Sequence, residues 1–234
     1  MNKKLGLYIH IPFCNKVCPY CDFNKMVASD NLKEKYIKAL IKESKIKNIS
    51  KYDLSTLYIG GGTPSSLKMD LLEMLFSSLN EEINLEKLEE FTFECNPEDI
   101  HSDLLKLLKK YHVSRLSIGI QTLNKSFQHH IKREFEYEKL STVVKLLNEC
   151  GFINYSFDLM YGFLNQTISD IKLDIDKLVS LNPTHISIYS LIVEDHTIFG
   201  KLKNDGHILE SSDDEQAKLY LFIIDYLEKF GFFR

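Results

Sequence analysis

Residues 7–21 read Leu7-Tyr8-Ile9-His10-Ile11-Pro12-Phe13-Cys14-Asn15-Lys16-Val17-Cys18-Pro19-Tyr20-Cys21. The β-branched and aromatic run from Leu7 to Ile11 predicts a strand stopped by Pro12, and three cysteines crowd into the loop behind it. Similar runs recur at Thr56 to Ile59, Phe91 to Glu94, Arg115 to Ile118, Tyr155 to Asp158 and His185 to Tyr189.

Between these runs, apolar residues recur at spacings of three and four, as in Leu32, Tyr36, Leu40 and Ile41, or Leu104, Leu107, Leu108 and Tyr111, which predicts helices. Ser29 or Asp30 is placed to cap the first helix and Ser102 the one bearing Leu104. Gly151 is placed to stop the helix running from Val143 to Cys150. Ser211 to Glu215 starts a last helix through Leu219, Ile223 and Leu227, and Gly231-Phe232-Phe233-Arg234 predicts the beginning of a further strand. Such alternation implies right-handed crossovers and a parallel α/β sheet, either open and doubly wound or curled toward a barrel. Six units suit a partial parallel (β/α)6 barrel, with residues 1–234 as one core domain.

A chain of 234 residues with 44% hydrophobic and 26% charged side chains has enough apolar material for a sizeable core. Its 29 basic and 33 acidic residues leave a net charge of -4, which argues against a nucleic acid or anionic lipid partner held by charge. The lysines from Lys33 to Lys47, interleaved with Glu34 and Glu43, read as a solvated helix face. No apolar run approaches the roughly 20 residues that span a bilayer, so a cytoplasmic location is expected. Five cysteines are too few and too unevenly placed for a disulfide framework, and the three in the loop call for metal or redox chemistry.

Most of the chemically suggestive residues follow a predicted strand: the cysteine loop, Gly60 to Pro64, Glu94 to Pro97, Gln121 and Asp158. In a parallel β/α fold these positions lie at the carboxyl ends of strands, where ligands bind. Three thiolates in one short loop suit three irons of a cubane cluster, leaving a fourth open to an external chelate. A three-cysteine zinc site and a set of unrelated thiols are the alternatives, although zinc usually takes a fourth protein ligand and paired Cys-x-x-Cys knuckles. Cys95 and Cys150 read as apolar fillers, His129-His130 as a solvated helix face, and His10, His185 and His196 as hydrogen-bonded structural histidines.

The C-x3-C-x2-C spacing of Cys14, Cys18 and Cys21 resembles that of radical S-adenosylmethionine (SAM) proteins. Tyr8-Ile9-His10-Ile11-Pro12-Phe13-Cys14, followed by Cys21-Asp22-Phe23, is similar to the group of HemW-type heme chaperones and oxygen-independent coproporphyrinogen III dehydrogenases, and the likeness runs from Leu7 to about Phe230. The resemblance implies a 4Fe-4S cluster on Cys14, Cys18 and Cys21, with the amino and carboxylate groups of SAM on the open iron. It places Gly61, Gly62 and Thr63 at the methionine end of the cofactor and Glu94, Gln121, Arg133 and Asp158 on its polar groups. Tyr8, Tyr20 and Ile192 line it, and no side chain is assigned a catalytic role.

Two activities follow from the resemblance. A heme chaperone would bind heme and pass it to a membrane-associated acceptor protein; a dehydrogenase would decarboxylate coproporphyrinogen III oxidatively. Either would draw one electron from a reductant. The dehydrogenases carry a further cysteine two positions after the last cluster ligand, where this chain has Phe23, so the ending Cys-Asp-Phe favours the chaperone. The family's C-terminal region has no counterpart here, which adds a third expectation, a truncated remnant that only binds metal.

Overall fold

All six expected strands form, each longer than its most β-prone stretch. The computed structural model describes residues 4–234. In chain order the elements are β1 (Leu5–Ile11), α1 (Asp30–Lys47), β2 (Leu54–Gly61), α2 (Met69–Glu82), β3 (Glu90–Cys95), α3 (Ser102–Lys110) and β4 (Arg115–Gln121). There follow α4 (Lys125–His130), α5 (Tyr137–Glu149), β5 (Tyr155–Tyr161), α6 (Ile168–Val179), β6 (His185–Ser190), α7 (Ile198–Asn204) and α8 (Asp213–Glu228). The strands form one open sheet in the order β1-β2-β3-β4-β5-β6. Pairing is parallel, in register from Gly6 opposite Thr56 to Ile11 opposite Gly61, and from Ser156 opposite His185 to Tyr161 opposite Ser190. Inner strands of a parallel sheet are covered on both faces, so β4 and β5 are buried almost throughout, whereas the edge strand β6 is half exposed.

The described chain divides into two compact units. The first contains residues 4–17, Phe23–Ser117 and Leu146–Asn154. Its core is built on Phe76 of α2, whose ring meets Phe91 and Phe93 of β3 edge-on at 5.9 and 5.8 Å. Leu104, Leu107, Leu108 and Tyr111 are buried together, as their spacing predicts. The second unit contains Cys18–Asp22, Ile118–Lys145 and Tyr155–Arg234. A buried cluster of Ile131, Met160, Phe163, Leu191, Val193, Phe199 and Leu209 lies within it, and α8 buries Leu219, Ile223 and Leu227.

Several local expectations need correction. Of the two caps expected for α1, Ser29 is the one that forms, accepting from Leu32 N, but the buried line of that helix is Lys33 and Ile37, with Leu32 turned outward. Lys33 therefore does not belong to the solvated lysine face. The cap of α3 is His101, one residue before Ser102: its neutral imidazole Nδ1 accepts from Leu104 N at 3.3 Å. Gly231 to Arg234 form no strand. Gly231 takes φ +83°, its N–H donates to Glu228 O, and Phe232 N donates to Leu227 O, the paired bonds that close a helix on a left-handed residue. The start of α8 is as expected, with a reciprocal cap between Ser212 and Glu215. Among the described residues no helix is long and apolar enough to cross a membrane.

Candidate functional site

In the first unit, β1 delivers Cys14 three residues past its end, and backbone bonds pin the chain around the thiol. Met26 N donates to Pro12 O at 2.7 Å and Cys14 N donates to Met26 O at 3.0 Å. The turn after β2 is clipped to the same segment, Gly62 N donating to Ile11 O and Thr63 N to Phe13 O, both at 2.8 Å. A Cβ on Gly62 would stand 2.9 Å from Phe13 N and O and 3.0 Å from Cys14 Sγ, so this approach is open only to glycine. Thr63 is buried, and its hydroxyl donates to Cys14 Sγ at 3.4 Å.

Glu94, at the end of β3, is held by two donors: Tyr58 OH on Oε1 at 2.6 Å and Gly61 N on Oε2 at 3.0 Å. Burial pushes its carboxyl above the ordinary range; the two hydrogen bonds oppose this, as do His10 and Arg115. Gly61 has φ +119°, and a Cβ there would meet the His10 ring at 2.7 Å. His10 Nε2 lies 2.8 Å from Asn24 O, an acceptor only, so Nε2 carries the proton and Nδ1 accepts from Tyr8 OH at 3.0 Å. The Tyr8 ring itself is exposed.

In the second unit, Cys18 and Cys21 bracket a tight turn closed by Cys21 N donating to Cys18 O at 3.2 Å. Phe199 N donates to Pro19 O at 3.0 Å, and Tyr20 packs against the buried cluster around Phe199. Burial pushes the Tyr20 phenol well up; the neighbouring Cys18, to which it is hydrogen-bonded, and Cys21 add to the shift, and Arg133 opposes it. Asp22 pairs with His196. At the end of β4, Gln121 adopts φ +71°, and the loop behind it is held from α6 by Asp174, which accepts from Thr122 Oγ1 at 2.6 Å and Leu123 N at 3.1 Å. Arg133 Nη2 donates to Gly119 O at 2.8 Å. A Cβ on Gly119 would lie 3.0 Å from Gln121 Nε2, so Gln121 and Arg133 share one patch of backbone. Asp158 is the one position of β5 that is not buried, and Ile192 is exposed beyond β6.

Among the described residues no group of three or more His, Cys, Asp or Glu side chains is gathered as a metal site. The donor chemistry nevertheless fits an iron–sulfur cluster. The loop offers three soft thiols, Gly62 leaves side-chain-free space against Cys14, and hydroxyls hydrogen-bond both Cys14 and Cys18, as suits thiolate ligands. The sequence did not single out Tyr58, Phe199 or Asp174, which hold these residues in place. The alternation of exposed Tyr8 and half-buried His10 with buried Ile9 and Ile11 was the available signal for the pairing of Tyr8 with His10.

A parallel α/β sheet with a three-cysteine loop after its first strand defines the radical SAM class. Residues 8–178 match the model of the Radical SAM superfamily, and the chain belongs to that superfamily. Among curated relatives, it is 39% identical over 232 residues to the heme chaperone HemW of Lactococcus lactis, covering 99% of this chain and 61% of that one. It is 37% identical over 227 residues to HemW of Bacillus subtilis, covering 96% and 60%. Among solved structures, coproporphyrinogen III oxidase (HemN) of Escherichia coli matches with a TM-score of 0.84 at 28% identity, over 98% of this chain and 54% of that one. The chain thus spans about three fifths of the length of these two HemW relatives.

Proposed function

We propose that Cys14, Cys18 and Cys21 hold a 4Fe-4S cluster, that the chain binds SAM beside it, and that it serves heme transfer in the manner of HemW-type chaperones. The cluster reading rests on three thiols at C-x3-C-x2-C spacing in a chain of the radical SAM superfamily. The chaperone reading is carried by one observation: the position two past Cys21 is Phe23, an exposed ring (69%), and not a fourth cysteine. The HemW relatives at 39% and 37% identity support it.

When bound, the cluster and SAM supply one-electron chemistry. The protein's own part is positioning. Gly61 and Gly62 present bare backbone, Glu94 keeps lone pairs beyond those used by Tyr58 and Gly61, and Gln121 and Arg133 offer an amide and a guanidinium to polar groups of the cofactor. Tyr8, Tyr20 and Ile192 offer flat or apolar surface, and Asp158 adds a carboxylate. Heme is the proposed cargo, a membrane-associated protein the acceptor, and a one-electron reductant the further partner, all in the cytoplasm.

The test is anaerobic reconstitution with iron and sulfide, followed by electron paramagnetic resonance of the reduced protein with and without SAM. A cluster signal altered by SAM, and missing from a Cys14, Cys18, Cys21 triple alanine variant, is expected; an iron-free product would end the reading. Heme titration, followed by its absorbance, and an assay for coproporphyrinogen III then separate chaperone from oxidase. Heme binding without consumption of coproporphyrinogen is the expected result.

A further inference from the structure

We infer that Thr63 is a tuning residue for the metal centre: its hydroxyl donates a hydrogen bond to the Cys14 sulfur and raises the reduction potential of the cluster. The inference rests on the proposed role of Cys14 as a cluster ligand and adds to Thr63 a role that does not involve the cofactor.

Geometry sets the direction of the bond. Thr63 Oγ1 lies 3.4 Å from Cys14 Sγ and 3.5 Å from Asn96 Nδ2. An amide nitrogen only donates, so the long contact from Asn96 takes a lone pair of the hydroxyl, and the single hydroxyl proton is directed at sulfur. Both ends of the chain are anchored. Thr63 N is bonded to Phe13 O at 2.8 Å, one residue before the cysteine. Asn96 N donates to Ser65 Oγ at 3.1 Å, and Ser65 Oγ donates to Asp99 at 2.7 Å. Thr63 is only 6% exposed and Ser65 8%, so competition from water for this proton is weak.

A donor on a thiolate ligand stabilises the more negative, reduced cluster over the oxidised one, and hydrogen bonds to sulfur are among the levers that set iron–sulfur potentials. Removing the donor therefore makes the potential more negative. Thr63→Val keeps the shape and loses the proton; Thr63→Ser keeps the proton.

The experiment is a redox titration of the reconstituted protein, followed by electron paramagnetic resonance, before any SAM is added, so that a cofactor contact plays no part. A more negative midpoint in Thr63→Val, with Thr63→Ser at the wild-type value, is expected. Equal midpoints in all three proteins would overturn the inference while leaving the cluster reading intact. Loss of the cluster from a folded Thr63→Val protein would overturn it too, since Thr63 would then be needed for assembly. Should Thr63→Val fail to fold, Thr63→Ala carries the same comparison. Failure of the wild type to take up iron and sulfide would end both this inference and the reading beneath it.

Discussion

At the scale of single residues, the turn after β2 shows how backbone conformation and close approach act together. Gly61 sits at φ +119°, which L side chains rarely adopt, and its missing Cβ is the space that the His10 ring fills. Gly206, at φ +90°, has nothing within 4 Å of the same position. Gly61→Ala is therefore expected to combine strain with a clash and cost about 2–4 kcal/mol, whereas Gly206→Ala carries backbone strain alone, about 1–2 kcal/mol. Urea denaturation of the two variants beside the wild type measures the difference, and equal losses would show that the His10 contact yields freely. Gly61 and Gly62 were visible in the sequence as a glycine run. That one meets an imidazole and the other a cysteine was not, because those contacts join the ends of two parallel strands some fifty residues apart.

At the scale of elements, Asp174 ties α6 to the loop behind β4, and it is buried with its carboxylate on Thr122 and Leu123. Burial pushes its carboxyl up from 3.8 to about 6, against the pull of those hydrogen bonds. The folded state thus holds this proton more tightly than the unfolded chain. The stabilisation is complete below pH ~4 and is lost as pH rises through about 6, a change on the order of 3 kcal/mol for a shift of roughly two units. Asp174→Asn removes the titration. The difference in denaturation midpoint between wild type and variant should therefore change across pH 4–6 and stay flat from pH 7 to 8; a constant difference throughout would sink the assignment. Elements were legible where burial repeats along the chain: β5 reads as a strand because Tyr155, Phe157, Leu159 and Tyr161 are buried on one face and Ser156 and Met160 on the opposite one. Ends were less legible. His101 takes the cap expected of Ser102, and Gly231 closes α8 where Phe232-Phe233 suggested a strand, since aromatic content alone does not tell a helix stop from a strand start.

At the scale of the whole molecule, the three-cysteine spacing made the superfamily legible, but the positions proposed for SAM come from several strand ends and only the resemblance picks them out. Their joint test is thermodynamic linkage. A ligand that binds the folded chain and not the unfolded one stabilises it by RT ln(1 + [L]/Kd), about 2.7 kcal/mol at a hundredfold excess over Kd. For a chain of this size that is a rise in Tm of roughly 5–10 °C. If the amino and carboxylate groups of SAM bind through the open iron, the rise requires the cluster. Reconstituted wild type, heated anaerobically, should gain Tm steadily with the logarithm of SAM concentration, and the Cys14, Cys18, Cys21 triple alanine variant should not respond. A response of equal size in the variant would place the cofactor's binding energy on Glu94, Gln121, Arg133 and their neighbours alone, and would remove the iron from the proposed site.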